Sequence, residues 1–200
     1  METILKTGYT KIFSLFYPQK MISLHLREIA RKTKLNVHST SRILFSLEKE
    51  AILKTEKEGN LKKYTVNASL NTFLLCALFD LEKKGKIEKR RQRAIDIFLR
   101  SLEKQPIIAF LFGSTAKGLE TEGSDIDLLF IENEKIDTNN AENETEALTG
   151  IKINVLQISL QEFKKELKIK EDHIIQTALK TGYPITNHIF FYEVYFHENI

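Results

Sequence analysis

The chain has 200 residues with one cysteine, five histidines and a formal net charge of +3 at pH 7. The single cysteine excludes an internal disulfide, and the histidines lack the spacing of zinc ligands, so neither a disulfide-held nor a zinc-held domain is expected. No apolar stretch approaches the roughly 20 residues that span a bilayer, and the N-terminus lacks a signal-peptide segment, so we expect a soluble, cytoplasmic protein without a membrane partner.

The small net charge hides an uneven distribution along the chain. Residues 1–66 contain thirteen Lys or Arg against six Asp or Glu (+7), and residues 67–104 contain nine against five (+4). Residues 105–200 contain eight against sixteen (−8). The length suffices for two compact domains, and this asymmetry predicts a basic domain, whose charge favours contact with a polyanion, joined to an acidic domain.

In the first third of the chain, two neighbouring segments show a helical period. Leu24, Leu26, Ile29 and Ala30 form one apolar face, residues 34–36 interrupt it, and the period resumes at Ile43, Leu44, Leu47 and Ala51. Residues 52–55 and 62–66 are strand-like and flank a Gly59–Asn60 pair, which suits a hairpin tip. This pattern predicts two helices around a tight turn, followed by a basic hairpin.

Over about residues 10–67 this order resembles the winged helix-turn-helix domain of MarR- and ArsR-type regulators. The resemblance implies that the second helix contacts DNA and that the hairpin, or wing, contacts phosphates. The second helix would present six residues near its start: His38, Ser39, Thr40, Ser41, Arg42 and Phe45. Of these, Ser39, Thr40 and Arg42 are the best candidates for contact with DNA. On the wing, the candidates for contact with phosphates are Lys54, Lys57, Lys62 and Lys63. Winged helices also serve as protein–protein modules, and the basic charge favours DNA over that alternative.

Residues 68–104 form a Leu-rich segment in which Gly85 marks a break. Apolar stripes predict one helix over about 70–81 and a second over about 87–102. The KRRQR run at the start of the second helix, which includes Arg91, is expected to be a solvated face. Helices in this position of winged-helix regulators commonly dimerise, so we expect a helical linker that supports a homodimer.

The densest functional pattern lies in residues 107–131. Residues 107–112 and 126–131 are apolar runs that predict buried strands; the first ends at Gly113–Ser114, and Asp125 and Asp127 begin the second after ten intervening residues. Because strand residues i and i+2 share a face, the two carboxylates project together and can bind Mg²⁺ ions that also hold phosphates. The alternative, an exposed edge charge at Asp127, is disfavoured inside so apolar a run.

Gly113, Ser114, Gly123, Ser124, Asp125 and Asp127 together resemble the signature of minimal nucleotidyltransferases of the DNA polymerase β-like superfamily. The resemblance implies that Asp125 and Asp127 bind Mg²⁺ or Mn²⁺ as catalytic ligands. It also implies transfer of a nucleoside monophosphate, such as AMP from ATP, to an acceptor hydroxyl. The residues expected to hold the nucleoside triphosphate are Gly113, Ser114, Lys117 and Ser124.

Members of this family usually supply a third carboxylate from a later strand. In the predicted strand 151–159 that position is occupied by Asn154, which can bind a metal ion through its carbonyl oxygen but cannot act as a base. Glu142, Glu144 and Glu146 lie in a polar loop or short helix and are not assigned to the site. Two alternatives stay open: a DNA-binding regulator whose second domain only senses nucleotide, and an antitoxin-like enzyme that modifies a toxin-like partner.

We therefore predict an α+β protein in three parts. Residues 1–67 form the winged helix, residues 68–104 the helical linker, and residues 105–200 a nucleotidyltransferase domain with a short mixed sheet. In the last part the pattern predicts helices at 161–167 and 173–179 and a short strand at 183–186. The aromatic stretch 189–196 could stack on bases, but packing in a core or interface is the expected role.

Overall fold

The structure, a computed structural model, describes residues 7–59 and 61–199. Asn60, part of the predicted hairpin tip, lies outside the described residues. The chain divides into two compact units, Met1–Cys76 and Ala77–Ile200. The three-part division into residues 1–67, 68–104 and 105–200 stays a prediction. None of the described helices is long and apolar enough to cross a membrane.

In its described residues, the first unit contains three helices and an antiparallel sheet of strand order β1-β3-β2, followed by a helix that continues past residue 76. These elements are α1 (Thr7–Phe16), β1 (Leu24–His25), α2 (Leu26–Thr33), α3 (Val37–Lys49), β2 (Leu53–Glu58), β3 (Leu61–Val66) and α4 (Leu70–Lys86). The predicted order of two helices, a tight turn and a hairpin is confirmed at the level of these elements. Assignment to the winged-helix class stays a prediction.

The turn between α2 and α3 has clear local causes. Lys34 ends α2 in the left-handed conformation with φ 57°, and Asn36 caps α3 by accepting a hydrogen bond from the Ser39 backbone N–H at 2.7 Å. The apolar period then turns Ile29 and Leu44 into a core in which both are fully buried. Capping and periodicity therefore determine how these two helices meet.

The second unit, in its described residues, is built on a four-stranded mixed sheet of order β6-β5-β4-β7. Strand β5 pairs antiparallel with β4 and parallel with β6, and β4 pairs antiparallel with β7. The α+β class with a short mixed sheet is thereby confirmed. The elements are α5 (Lys89–Ser101), β4 (Ile108–Phe112), α6 (Gly113–Lys117), β5 (Ile126–Glu132), α7 (Asn139–Thr149), β6 (Ile153–Ser159), α8 (Leu160–Ile169), α9 (His173–Thr181), β7 (Tyr183–Pro184) and α10 (His188–Glu198).

The sheet of the second unit is covered on both faces. On one face Leu128 and Phe130 belong to a buried cluster with Ala94, Ile95 and Phe98 of α5. Helix α5, which the sequence placed in the linker, therefore contributes to the core of this unit. On the other face Phe110 packs against Phe191 of α10, with 5.1 Å between the ring centroids. The ring of Phe163 on α8 lies 6.1 Å from the same Phe191 ring. Phe191, Tyr192 and Phe196 are buried, so the expectation of core packing for the aromatic stretch is confirmed.

A buried carboxylate joins the second half of α4 to α10. Asp80 is fully buried, and it accepts hydrogen bonds from the Tyr192 hydroxyl at 2.8 and 2.9 Å, while Nδ1 of His188 lies 2.9 Å from its carboxylate. A buried charge is costly unless it is hydrogen-bonded. These contacts therefore satisfy Asp80 and hold α10 in place.

A second buried carboxylate, Glu132 at the end of β5, leads to a prediction about pH. The residue is 6% exposed, its Oε2 has no hydrogen-bond partner within the described residues, and burial raises the pKa of the carboxyl above 4.5. Because its folded-state pKa is the higher one, the stability that Glu132 contributes falls as pH rises through that pKa. We expect Glu132→Gln to be more stable than the parent at pH 7 by roughly 1 kcal/mol, or about 2–4 °C in Tm.

Thermal unfolding of both proteins between pH 4 and pH 8 checks this expectation. The difference in Tm should shrink toward pH 4, where the carboxyl is mostly protonated in both states. Glu134→Gln is the matched control, because Glu134 is exposed and lies 2.6 Å from Lys104 in an ion pair, so its replacement should bring no gain. A gain for Glu132→Gln that is independent of pH would contradict the proposed cause.

Candidate functional site

Asp125 immediately precedes β5 and Asp127 is its second residue, on the sheet face opposite α5. In the strand register Asp127 pairs with Phe112 of β4 on one side and with Asn154 of β6 on the other. The Asn154 amide donates to Asp125 Oδ2 at 3.2 Å and to Asp127 Oδ1 at 3.4 Å. The structure therefore brings together the three residues that the sequence nominated as metal ligands.

Gly113 is required at the junction of β4 and α6 for two reasons. Its φ is +74°, a left-handed conformation that side chains rarely adopt, and a Cβ at this position would overlap the Asp127 carboxylate, with its Cγ only 3.0 Å away. The absence of a side chain lets the carboxylate lie directly against the backbone. The glycine of the motif thus determines how closely Asp127 approaches this junction.

Ser114 and Lys117 follow on the short helix α6, which packs against β4 and β5. Lys117 is exposed and forms no ion pair within residues 7–59 and 61–199. The Ser114 hydroxyl likewise has no hydrogen bond in the described part of the chain. Both side chains are therefore available to an anionic ligand near Asp127, although their contact with a triphosphate stays a prediction.

Ser124, which was assigned to the nucleotide, closes the turn that leads into Asp125. Its hydroxyl accepts a hydrogen bond from the Thr121 backbone N–H at 2.9 Å and lies 3.0 Å from the Thr121 hydroxyl. The Ser124 N–H donates to the Thr121 carbonyl at 3.0 Å. The side chain of Ser124 therefore has a structural role, and its role as a triphosphate ligand stays a prediction.

The position of Arg91 differs from the one predicted from the sequence. It was expected on a solvated face, but its side chain is only 4% exposed, so that expectation is wrong. The guanidinium donates to the Thr115 hydroxyl at 3.1 Å and to the carbonyls of Thr121 and Ser124 at 3.2 and 2.9 Å. Its rigid fork of donors suits such simultaneous contacts. Arg91 thereby connects α6 to the turn before Asp125.

A signal for this burial was present in the sequence. Arg91 lies three and four residues before the buried Ala94 and Ile95, so it belongs to the apolar stripe of α5 and not to its solvated face. Arg93, two residues later, is exposed. The helical periodicity predicts Arg91 on the buried face and Arg93 on the exposed face, and it is the better guide here than the basic character of the run.

A cavity of about 500 Å³ adjoins Asp125, a size typical of small-molecule pockets. Its walls come from three segments: the beginning of α5, the loop 120–125, and residues 146–152 at the end of α7 and just after it. The charged side chains that line it are Glu88, Glu120, Glu122, Asp125 and Glu146 against Arg90, Arg91 and Lys152. Because these segments are far apart in the sequence, the cavity could not be predicted from local patterns.

The oxygen atoms of Asp125, Asp127 and Asn154 suit a hard divalent cation such as Mg²⁺ or Mn²⁺. Asp125 and Asp127 form no ion pair with a described lysine or arginine, so their charge is not neutralised within the described chain. No group of three or more His, Cys, Asp or Glu suited to a metal occurs among the described residues, but Mg²⁺ is often held by one or two carboxylates together with substrate phosphates. Asn154 can add its carbonyl oxygen if the amide turns over.

In the first unit the residues proposed for DNA contact do not all lie at the surface. Arg42 is exposed on α3, on the same face as His38 and Ser41. Thr40 is fully buried, and its hydroxyl donates to the Asn36 carbonyl at 2.9 Å. The prediction that Thr40 contacts DNA is therefore wrong, because the helical period turns it toward the core. Ser39 is half-buried next to the cap, and its role stays a prediction.

The four hairpin lysines divide between two faces of the hairpin. Lys57 and Lys62 are directly opposite each other in the strand register, and Lys62 lies 3.8 Å from Glu48 of α3. Lys54 and Lys63 project to the other face, since side chains alternate along a strand. Lys63 forms an ion pair with Glu58 at 2.5 Å. Lys57 and Lys62 are consequently the pair that shares a side with α3.

Comparison with known proteins gives one family for part of the chain. Residues 93–182 match the family model described as a nucleotidyltransferase domain, and this stretch contains Gly113, Ser114, Asp125 and Asp127. The nucleotidyltransferase part of the predicted resemblance is confirmed at that level. A comparison with curated proteins found no match.

One solved structure that is similar in part is TrmBL2, described as an archaeal chromatin protein with a novel mode of DNA binding. The two chains are 17% identical, and the similarity covers 74% of this chain and 64% of that one, with a TM-score of 0.23.

Proposed function

We propose that the protein is a Mg²⁺-dependent nucleotidyltransferase that transfers a nucleoside monophosphate from a nucleoside triphosphate to an acceptor hydroxyl, with ATP as the expected donor. The observation that carries this proposal is the placement of Asp125 and Asp127. Their carboxylates share the Asn154 amide at 3.2 and 3.4 Å, and Asp127 lies against Gly113. They also fall within the stretch that matches the nucleotidyltransferase domain.

In this proposal the residues of the chain act mainly by positioning. Asp125 and Asp127 hold the divalent ion, which supplies charge neutralisation at the phosphates when it is bound. The backbone at Gly113, the Ser114 hydroxyl and the Lys117 ammonium orient the triphosphate beside the carboxylates. Because phosphoryl transfer demands little covalent chemistry from a protein, such positioning and electrostatic stabilisation account for most of the catalysis.

Asn154 sets a limit on this chemistry. An amide adds no negative charge and takes up no proton at neutral pH, so it cannot serve as the base for the acceptor hydroxyl. It occupies the strand position opposite Asp127 where a third carboxylate would have been within reach of both others. We therefore expect a slow transferase, and expect Asn154→Asp to raise the rate of transfer.

The same residue, together with the first unit, supports a second candidate function. In this second function the protein binds nucleotide without turning it over and regulates transcription by binding DNA through its first unit. Residues 1–76 carry a formal charge of +7, and Arg42 is exposed on α3. Positive charge of this size favours a polyanion such as DNA. In this candidate the protein is a DNA-binding regulator whose second unit senses nucleotide.

Titration of each nucleoside triphosphate into the pure protein, with and without Mg²⁺, tests the proposal. Binding heat and pyrophosphate release are followed together, and Asn154→Asp is measured beside the parent. Mg²⁺-dependent binding with pyrophosphate release that increases in Asn154→Asp is the expected result. Binding without release from either protein would fit the nucleotide-sensing regulator and equally a transferase whose acceptor is missing from the assay, because pyrophosphate leaves only when a hydroxyl accepts the nucleotidyl group. The absence of binding by any nucleotide would contradict both candidates.

A further inference from the structure

Helix α3 presents a large aromatic ring to solvent. Phe45 is 68% exposed, whereas Leu44 and Leu47 on either side of it are fully buried. The ring follows the exposed Ser41 and Arg42 by one helical turn, so these three side chains share the outer face of α3. Packing within the first unit therefore does not account for an aromatic residue at this position.

The ring belongs to a larger surface feature. Phe45 and Leu61, which is 60% exposed, line a cavity of about 680 Å³ between α3 and the hairpin, together with His25, Arg27, Lys62 and Tyr64. Isolated exposed apolar residues are ordinary on protein surfaces, but an apolar concavity rimmed by polar groups marks an interaction site. The side of α3 that faces the hairpin thus carries an apolar surface as well as charge.

The charges around this cavity favour an anionic occupant. Arg27 and Lys62 line it, and Arg42 is next to it on α3. The lining acid, Glu48, is engaged by Lys62 at 3.8 Å and by the Thr55 hydroxyl at 2.7 Å. With a formal charge of +7 on residues 1–76, an acidic polymer fits better than a second copy of the same basic surface.

We propose that Phe45 contacts the C5-methyl group of a thymine in the major groove of DNA, next to a guanine contacted by Arg42. This inference rests on the second candidate function, in which the first unit binds DNA. Thymine is the base that presents a methyl group in the major groove, and guanine is the usual partner of arginine there. Three residues of helix rise about 4.5 Å, close to one base step of about 3.4 Å, so Arg42 and Phe45 suit neighbouring base pairs.

Within this proposal the hairpin supplies the phosphate contacts. Lys57 and Lys62 share the side of the hairpin that faces α3 and can contact the backbone beside the groove that α3 occupies. Such contacts give affinity without sequence information, whereas Arg42 and Phe45 supply the specificity. The thymine contact is apolar, so unlike the lysine contacts it should be insensitive to salt.

The experiment uses the full chain and duplex DNA. Duplexes bound from a random library are sequenced, and the enriched sequence is expected to contain a thymine next to a guanine. That thymine is then replaced by deoxyuridine, which lacks only the methyl group. The parent protein should lose about three- to tenfold in affinity, the order expected for one buried methyl group. Phe45→Ala should bind both duplexes equally, and it should stay folded because the ring that it removes is 68% exposed.

Arg42→Ala is the matched control, because it should weaken selection for the guanine and leave the ratio between thymine and deoxyuridine unchanged. Equal binding of both duplexes by the parent, or selection without a thymine, would overturn the contact while DNA binding itself stands. Failure to bind any duplex at low salt would overturn the DNA-binding function as well. Loss of self-association in Phe45→Ala, with DNA affinity unchanged, would assign the surface to a second copy of the chain and overturn the proposal.

Discussion

Replacement of Asp127 by asparagine is expected to lower the rate of nucleotide transfer by at least about 100-fold, or about 2.7 kcal/mol in transition-state stabilisation. The substitution preserves the shape of the side chain beside Gly113 but removes a charge that would bind the divalent ion. Asp125 then remains as the one carboxylate of the motif. Since positioning of the metal and the phosphates accounts for most of the catalysis in this chemistry, the effect should appear mainly in kcat.

The same substitution should not destabilise the metal-free protein. Asp125 and Asp127 both face the Asn154 amide, and neither forms an ion pair with a described cation. Two like charges that share one amide donor repel each other, so Asp127→Asn relieves unfavourable energy when Mg²⁺ is absent. We expect an unchanged or slightly higher Tm without Mg²⁺, and loss of the increase in Tm that Mg²⁺ and nucleotide give the parent protein.

Pyrophosphate release and thermal unfolding, each with and without Mg²⁺, measure the two expectations on the same samples. Glu144→Gln is the matched control, because Glu144 is an exposed carboxylate on α7 that the motif does not include. It should behave like the parent in both assays. Retention of full transfer activity by Asp127→Asn, or an equal loss in Glu144→Gln, would contradict the assignment of the site to Asp127.

The second large effect is expected for Arg91→Ala. Removal of the guanidinium takes away the hydrogen bonds that it donates to the Thr115 hydroxyl and the Ser124 carbonyl, in a region where Arg91 itself is 4% exposed. The Thr121 carbonyl loses one of its two donors and keeps the Ser124 N–H. Unsatisfied buried acceptors cost about 1–3 kcal/mol each, so the loss of stability should be roughly 3 kcal/mol. That corresponds to a fall in Tm of about 6–12 °C. The turn that positions Asp125 should also become more mobile.

Thermal unfolding and limited trypsin digestion check this expectation. Lys117 is exposed at the beginning of the loop that Arg91 holds, so cleavage after Lys117 should be faster in Arg91→Ala. Arg93→Ala provides the matched control from the exposed side of the same helix. Arg91→Lys keeps the charge but lacks the planar fork, and it should lie between the parent and Arg91→Ala. A Tm equal to that of Arg93→Ala would show that Arg91 does not hold the loop.

In a well-folded Arg91→Lys protein, Arg91 can be tested as a positioning residue. Arg91 lies behind the turn and acts on Asp125 through Ser124, the residue before it in the chain. If the turn shifts, the divalent ion should bind more weakly, and a higher Mg²⁺ concentration should restore most of the rate. Asp127→Asn, which lacks a ligand, should not be rescued in this way. This difference separates the positioning of the site from the binding of the ion.

Much of the candidate site follows from local rules. The i and i+2 spacing of Asp125 and Asp127 requires that both project to one side once residues 126–131 form a strand, and the apolar run determines that they do. A glycine at the end of a buried strand predicts close approach of another group, and that group is the Asp127 carboxylate. The helices and hairpin of the first unit follow in the same way from periodicity and turn residues.

Other features depend on which segments meet in three dimensions. The pairing of Asn154 with Asp127 depends on the parallel register of β5 and β6, and sequence spacing alone does not determine that register. The buried contacts of Asp80 with His188 join residues 108 positions apart. The cavity beside Asp125 likewise combines three segments that are distant in the sequence. No local pattern contains such information, because these contacts form only when whole elements pack.

The amino-acid sequence by itself therefore determined the elements, the uneven charge and the identity of the acidic motif, because each depends on residues a few positions apart. Only the tertiary structure decided which side chains of those elements are accessible. It buried Thr40 and Arg91, which a polar pattern had placed at the surface, and it left Phe45 exposed. Burial is set by the neighbouring elements that cover a face, so it becomes known only when those elements are assembled.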